Sequence, residues 1–213
     1  CKAMEANKHV YLEKPCSHNM MESELIVNHQ KYFKKVVQMG NQQRSSTHTN
    51  SIIKKIHDGI IGNAYNAVAF YNNNRGRVPN QVPMSPPKGL DWNLFQGPAP
   101  RRNYTHDTWD YNWRWYGWDY GTAEMGNNAT HELDIARWAL QVKHPSHVDV
   151  FADKFQFVDD GWDMYDTMEA RFKFSKNKMI TWDGQSRNGY QPLAYRSGSG
   201  GRHDFNLPVA PSN

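Results

Sequence analysis

Two β-prone runs on either side of one helical segment constrain the fold of this chain more than any other feature. Residues 9–13 (HVYLE) and 35–39 (KVVQM) are short apolar runs, and residues 19–33 between them carry a rough helical stripe of apolar side chains. Strand, helix and strand in this order make a βαβ unit, in which a crossover helix joins two parallel strands. We therefore expect a parallel sheet at this end of the chain.

The apolar pattern changes further along the chain. Residues 147–157, 167–174 and 178–183 alternate between apolar and polar side chains and are joined by short connections, which is typical of an antiparallel sheet. The alternation of strands and helices that is typical of a parallel sheet ends near Gly40, so we place a domain boundary there. The predicted fold class is α/β (α+β): a parallel sheet in residues 1–39, then an α/β domain with a largely antiparallel open sheet in residues 40–213.

Residues 121–140 (GTAEMGNNATHELDIARWAL) predict a helix with two contrasting faces. Asn127, His131, Asp134 and Trp138 recur at helical spacing and share one face, which could line a polar pocket. The opposite face is apolar and reads as the core stripe, formed by Ala129, Leu133, Ala136 and Leu140. Taken alone, this segment favours a surface helix whose histidine is structural over a helix that lines a pocket.

Two short polar segments follow the predicted parallel strands. Glu13, Lys14 and Pro15 come directly after the first strand, and the loop GNQQRSS, with Gln42 and Arg44, follows the second. Ligands of open α/β sheets bind outside the carboxyl ends of the strands. A lysine there can donate hydrogen bonds or act as an acid when burial lowers its pKa, and the Lys14–Pro15 bond is a candidate for the cis form.

Between the two predicted sheets the chain is rich first in proline and then in aromatic residues. Residues 72–100 contain too much Pro, Gly and Asn for regular structure, and long loops of this kind are often functional. Residues 101–120 follow with many Trp and Tyr side chains, most of which we expect to cover the core. Indole rings also stack on sugar rings, so Trp113 and Trp115 are candidate substrate contacts.

Composition argues against several other classes of protein. The net charge is +4 over 213 residues and is spread along the chain, so we expect no nucleic-acid partner. No apolar run is long enough for a transmembrane helix, so we expect no membrane partner. The two cysteines form no CxxC motif, and His131-Glu132 lacks the second histidine of a zinc protease because Ile135 stands there. We expect no metal.

Four motifs in register resemble the Gfo/Idh/MocA family (glucose-fructose oxidoreductase / inositol dehydrogenase). They are HVYLEKP, KVVQMGNQQRS, DWNLFQGPAP and GNNATHELDIARWAL, and the resemblance covers about residues 1–190. It implies an N-terminal Rossmann domain and a C-terminal α/β domain with a largely antiparallel open sheet. It also implies hydride transfer between NAD or NADP and a sugar, cyclitol or related polyol.

The same resemblance implies roles for particular residues. Lys14 corresponds to the lysine beside the nicotinamide and the substrate hydroxyl, with Pro15 as its cis proline. His131 corresponds to the candidate general acid or base, and Asn127 stands where the family pattern usually has Asp. An amide cannot relay a proton, so we expect Asn127 to orient the substrate. We expect Glu13, Lys14, Pro15, Gln42 and Arg44 to contact the cofactor, and Asn127, His131, Trp113 and Trp115 to contact the substrate.

The chain also departs from the family pattern. It contains no GxGxxG phosphate loop, so we expect a fragment in which residues 1–39 are the remainder of the cofactor domain and residues 40–213 are incomplete at their end. We expect this fragment to be inactive by itself. Two alternatives stay open: a glycoside hydrolase that uses NAD transiently, and a non-catalytic carbohydrate-binding relative.

The resemblance also bears on assembly. Family members pair through the faces of their open sheets, so we expect a homo-oligomer that uses residues 148–174. A cytoplasmic location is our first expectation and a periplasmic one our second.

Overall fold

The computed structural model describes residues 1–105 and 109–189. Residues 106–108, and residues 190–213 at the end of the predicted second domain, lie outside the described residues. The described chain contains a two-stranded parallel sheet and a four-stranded, mainly antiparallel sheet. The predicted α/β (α+β) class is confirmed.

The N-terminal part has the predicted order of helix, strand, helix and strand. These elements are α1 (Lys2–Glu5), β1 (Val10–Leu12), α2 (Met20–Phe33) and β2 (Val37–Met39). The two strands pair in parallel, with Val10 opposite Val37. The Asn19 side chain accepts a hydrogen bond from the backbone N–H of Glu22 and so caps α2. β1 ends immediately before Glu13, which places Lys14 and Pro15 at the carboxyl end of a parallel strand.

A polar connection leads from β2 into the second sheet. It forms a 3-10 turn, Gln42–Ser45, and then α3, Thr47–His57. α3 begins where the Ser46 side chain accepts a hydrogen bond from the N–H of Thr49. Ile53 is the buried residue of α3.

The larger sheet contains β3 (Asn66–Asn72), β4 (His147–Asp153), β5 (Thr167–Phe174) and β6 (Lys178–Gln185). Its strand order is β3-β6-β5-β4. The three later strands pair antiparallel, as predicted. β3 pairs with β6 in parallel, an arrangement that the local pattern did not predict.

The main core lies between this sheet and the helix α5 (Thr130–Leu140). Ala129, Ala136 and Leu140 are buried there, and Leu133 packs against them, so the predicted core stripe is confirmed. The sheet contributes Met168, Ala170, Phe174, Ile180 and Trp182. The residues of β4, at the edge of this sheet, are all exposed.

A second core is almost entirely aromatic. Its buried members are Trp109, Trp115, Tyr116, Ala123, Trp162 and Met164. The proline-rich segment that leads into it is mostly irregular, as predicted, but contains the short helix α4 (Trp92–Gln96). The Asp91 side chain caps α4 by accepting a hydrogen bond from the N–H of Leu94. No helix among residues 1–105 and 109–189 combines the length and the apolar character needed to cross a membrane.

Candidate active site

A widened helical turn forms one wall of the candidate site. The residues Met125–Ala129 adopt a π-helical turn that leads directly into α5, and such turns occur frequently at functional sites. Lys14 reaches this turn from the end of β1. Its Nζ donates hydrogen bonds to the backbone oxygen of Asn127 at 2.6 Å and to Asn127 Oδ1 at 3.2 Å. Two predicted site residues that are 113 positions apart are therefore in contact.

Two glycines, Gly121 and Gly126, allow close packing around the start of the long helix. A Cβ at Gly126 would lie 2.3 Å from Thr122 Oγ1 and 3.4 Å from Pro15 Cγ. A Cβ at Gly121 would lie 2.6 Å from the backbone oxygen of Arg114. Neither space admits a side chain without displacement of its neighbours. The Lys14–Pro15 peptide bond is cis, as the sequence suggested.

The segment after β1 and the start of the long helix enclose a cavity of about 340 Å³, which is within the range of small-molecule sites. Lys14, Pro15 and Asn127 line it together with Glu13, and the aromatic segment contributes Trp113 and Arg114. The remaining lining residues are Ser17, His18, Tyr120, Gly121, Thr122, Ala123 and Gly126. This cavity brings together most of the residues that the sequence singled out.

A buried carboxylate lies beneath the cavity wall. Glu124 is 1% exposed, and its Oε1 accepts hydrogen bonds from Asn127 Nδ2 at 3.2 Å and from Asn128 Nδ2. Its Oε2 accepts a hydrogen bond from Ser186 Oγ at 2.9 Å and lies 3.7 Å from Arg75 Nη2. These contacts turn the Asn127 amide so that its nitrogen faces Glu124 and its oxygen faces Lys14. Sequence reasoning missed Glu124, although it precedes Asn127 by one helical turn.

Lys14 is a half-buried ammonium group held by neutral oxygens. Burial lowers its pKa, and the positive charge of Arg114 lowers the pKa further, while Glu124 and Glu13 act in the opposite direction. A lysine whose pKa is lowered gives up its proton more readily than an exposed lysine. Lys14 therefore remains the candidate for proton transfer that the sequence predicted.

His131 is buried one helical turn after Asn127. Burial lowers its pKa, and the positive charge of Lys14 lowers it further. Its Nδ1 makes no hydrogen bond to any of the residues that the structure describes. His131 is not among the described residues that line the cavity, and the lowering of its pKa favours the neutral imidazole.

The two tryptophans predicted to contact substrate occupy different places. Trp113 lines the cavity. Trp115 is 0% exposed and stacks on Trp162 with 4.3 Å between ring centroids. The expectation that Trp115 contacts substrate does not fit this placement, because its ring is enclosed by the aromatic core. Trp115 is part of the aromatic core that packs next to the site.

Gln42 and Arg44 lie away from the cavity. Arg44 makes two hydrogen bonds to the Asp134 carboxylate, at 2.8 and 2.7 Å, and its guanidinium carbon lies 4.4 Å from the centre of the Trp138 ring. The part of the helix face that was expected to line a pocket, Asp134 and Trp138, is thus occupied by Arg44. Contact of Gln42 and Arg44 with a cofactor stays a prediction. Within the described residues, no group of three His, Cys, Asp or Glu side chains is placed to hold a metal ion.

Comparison with known proteins identifies the class of this fold and site. Residues 46–207 match the family model for the C-terminal alpha/beta domain of the Gfo/Idh/MocA oxidoreductase family. This match covers about three quarters of the chain. The chain therefore belongs to the Gfo/Idh/MocA family of oxidoreductases. No curated protein matches it in sequence.

Several solved structures share the fold of this chain. An aldose-aldose oxidoreductase from Caulobacter crescentus is 17% identical, with a TM-score of 0.63 over 88% of this chain and 46% of that one. An NAD-binding oxidoreductase from Klebsiella pneumoniae is 16% identical, with a TM-score of 0.63 over 89% and 44%. A levoglucosan dehydrogenase in complex with NADH and L-sorbose is 21% identical, with a TM-score of 0.61 over 87% and 43%. The chain spans less than half the length of each.

Proposed function

We propose that the protein carrying this chain transfers a hydride between a nicotinamide cofactor, NAD or NADP, and a CH–OH group of a sugar, cyclitol or related polyol. Family membership supports oxidoreductase chemistry in general. The observation that carries the finer proposal is the contact of the Lys14 ammonium with both oxygens of Asn127 at the edge of a small cavity. That contact orients a lysine of lowered pKa towards the space where a hydroxyl group would react.

The residues at the strand ends fit a bound nicotinamide nucleotide. Lys14 follows β1, and Asn41 follows β2 with a buried Oδ1 that has no partner among the described residues. Unpaired polar groups at the carboxyl edge of a parallel sheet are what a nucleotide meets there. Glu13, Lys14 and Pro15 would hold its reactive end, which supplies the hydride acceptor or donor when bound. We further propose that residues 1–39 are part of the cofactor-binding domain.

The roles of the chain's own residues follow from their contacts. Asn127 holds the Lys14 side chain in place, and Glu124 holds the Asn127 amide. In its neutral amine form, which the lowered pKa favours, Lys14 takes the proton from the substrate hydroxyl during oxidation, and as the ammonium it returns the proton during reduction. His131, neutral because burial and Lys14 lower its pKa, can accept a proton close to Lys14. The walls contributed by Trp113 and Tyr120 restrict water and offer apolar faces to a sugar ring.

The test is a turnover assay of the full-length protein with NAD or NADP and a panel of sugars, cyclitols and polyols. We expect net formation of reduced nicotinamide, and a loss of about 10²- to 10⁴-fold in kcat for Lys14→Ala and His131→Ala. Lys88→Ala, which changes an exposed loop lysine, is the matched control. Normal turnover in both site variants would overturn the assignment of these residues.

The same assay separates the alternatives. Release of an aglycone from a chromogenic glycoside without accumulation of NADH would identify a glycoside hydrolase that uses its cofactor transiently. Sugar binding without any turnover would identify a binding protein. Either outcome would replace the proposed hydride transfer.

A further inference from the structure

We propose that the substrate of this site carries an anionic group, a carboxylate or a phosphate, which Arg114 binds beside Lys14. The inference rests on the proposed function for the identity of the site, and it names the class of substrate within it. It is carried by the pairing, position and geometry of the cationic side chains.

Arg114 is an exception among the arginines of this chain. Four arginines are buried or half-buried in the described residues: Arg75, Arg102, Arg114 and Arg187. Three of them pair with carboxylates, as Arg75 does with Glu124 at 3.7 Å, Arg102 with Asp119 at 3.3 Å and Arg187 with Asp160. Arg114 has no carboxylate partner among the residues that the structure describes. It is also the one of the four that lines the cavity.

Lys14 shares this property. Its Nζ contacts two neutral oxygens of Asn127 and no carboxylate among the described residues. Partly buried charges are normally paired, because removal from water costs free energy that only an opposite charge offsets well. Burial lowers the pKa of both Arg114 and Lys14, which reflects the free-energy cost of removing their charges from water. An anion bound by Arg114 would reduce this cost at Arg114 and at the neighbouring Lys14.

The acidic groups nearby do not supply a counter-charge for Arg114 and Lys14. Glu124 is already engaged by Asn127, Asn128, Ser186 and Arg75. Glu13 lines the cavity but forms no ion pair with either cation. The other titratable side chains that line the cavity beside them are His18 and Tyr120. Two cations therefore face the cavity against one carboxylate.

The Arg114 side chain is also held in a rigid position. Its guanidinium carbon lies 4.6 Å from the centre of the Tyr111 ring and 4.5 Å from the centre of the Trp113 ring. Its Nη1 donates a hydrogen bond to the backbone oxygen of Tyr111 at 2.8 Å, while Nε and Nη2 donate to no described residue. A planar guanidinium with one free edge binds two oxygens of a carboxylate or phosphate, and little rotamer freedom remains to be lost.

The experiment is isothermal titration of the full-length protein, saturated with cofactor, with matched sugars. The glucose, galactose and mannose series would each be titrated as the neutral hexose, the uronate and the 6-phosphate. We expect at least one charged member to bind about tenfold or more tightly than its neutral counterpart, the size expected of a charge-assisted hydrogen bond. A preference for the uronate identifies a carboxylate substrate, and a preference for the 6-phosphate identifies a phosphorylated one.

Variants assign the preference to Arg114. Arg114→Gln should remove the advantage of the charged sugar, Arg114→Lys should retain part of it, and Arg137→Gln, an exposed arginine on α5, should leave it unchanged. The inference is overturned if no charged member of any series binds more tightly than its neutral counterpart, or if Arg114→Gln keeps the full preference. Equal turnover of neutral and charged sugars would leave the proposed function standing without the inference. Tighter binding of a charged sugar without any nicotinamide reduction would support the inference and overturn the proposed function.

Discussion

At the scale of single residues, the carboxylate of the site belongs to Glu124, one helical turn before the position where the family pattern usually has Asp. Position 127 is an amide, and the carboxylate that acts on it is Glu124, buried and hydrogen-bonded to Asn127 Nδ2. An amide with its nitrogen held by a carboxylate presents only its oxygen to Lys14. Asn127 therefore orients the lysine, which fits the proposal that Lys14 itself transfers the proton.

Replacement of Glu124 tests this arrangement. Glu124→Gln should lower the free energy of unfolding by about 3 kcal/mol, because Arg75 would be left half-buried without a counter-charge and the two asparagine amides would lose their charged acceptor. Urea unfolding measures the change, with Glu24→Gln on the exposed face of α2 as the control. Equal stability of the two variants would show that Glu124 does not hold the site together.

The lowered pKa of His131 makes a prediction about pH. Between the folded-state pKa and the unfolded value of about 6.5, the unfolded chain binds more protons at this residue than the folded one. Stability is therefore full above that value and falls as the pH drops below it. His131→Gln should flatten the dependence of the unfolding free energy on pH between about 7.5 and 5.5, whereas His48→Gln, an exposed histidine in α3, should not. Identical slopes in both variants would contradict the burial of a neutral His131.

Residue types and local spacing singled out Lys14, Asn127 and His131, and the structure brings Lys14 and Asn127 into contact. The sequence could not separate Trp113 from Trp115, because the folding of the aromatic segment decides which of the two rings faces the cavity and which enters the core. The ion pair of Arg44 was not predictable for a similar reason, since its partner Asp134 is 90 positions away. Glu124 and Arg114 were missed because their significance depends on which charges lie nearby in space.

At the scale of elements, the long helix was predictable and its widened turn was not. Helical periodicity found both faces of residues 121–140. The π-helical turn at Met125–Ala129 coincides with the contact that Lys14 makes to the Asn127 backbone oxygen, and that contact cannot be read from local sequence. The parallel pairing of β3 with β6 was equally out of reach, because Asn66 and its partner Met179 are far apart in the chain.

The close approach of the helix start to the aromatic segment depends on Gly121. A Cβ there would lie 2.6 to 2.9 Å from backbone atoms of Arg114, so Gly121→Ala should destabilise the fold by about 1–3 kcal/mol through overpacking. Gly76→Ala is the matched control, because nothing lies within 4 Å of its added Cβ. Thermal unfolding compares the two, and equal melting temperatures would rule out the tight contact.

At the scale of the whole molecule, the outer edge of the larger sheet is uncovered. β4 is exposed along its whole length, and Val150 and Phe151 are 56% and 58% exposed. An edge strand with exposed apolar side chains is a natural place for another chain to pair. We propose that two copies of the protein associate through this sheet, within residues 148–174.

Sedimentation velocity of the full-length protein tests that proposal. We expect a dimer or larger assembly that dissociates in Phe151→Lys, because the new charge would be buried at the interface. Ile60→Lys, which alters an exposed apolar residue just after α3, should leave the assembly unchanged. A monomeric native protein would remove the proposal.

The central claim is that Lys14 moves the proton during hydride transfer, and single-turnover kinetics test it most directly. The full-length protein, loaded with cofactor and mixed with substrate, should form reduced nicotinamide in one phase. Lys14→Met should slow that phase by about 10²- to 10⁴-fold with cofactor binding retained, while Lys88→Met should match the native rate. A Lys14→Met protein that reduces its cofactor at the native rate would contradict the account.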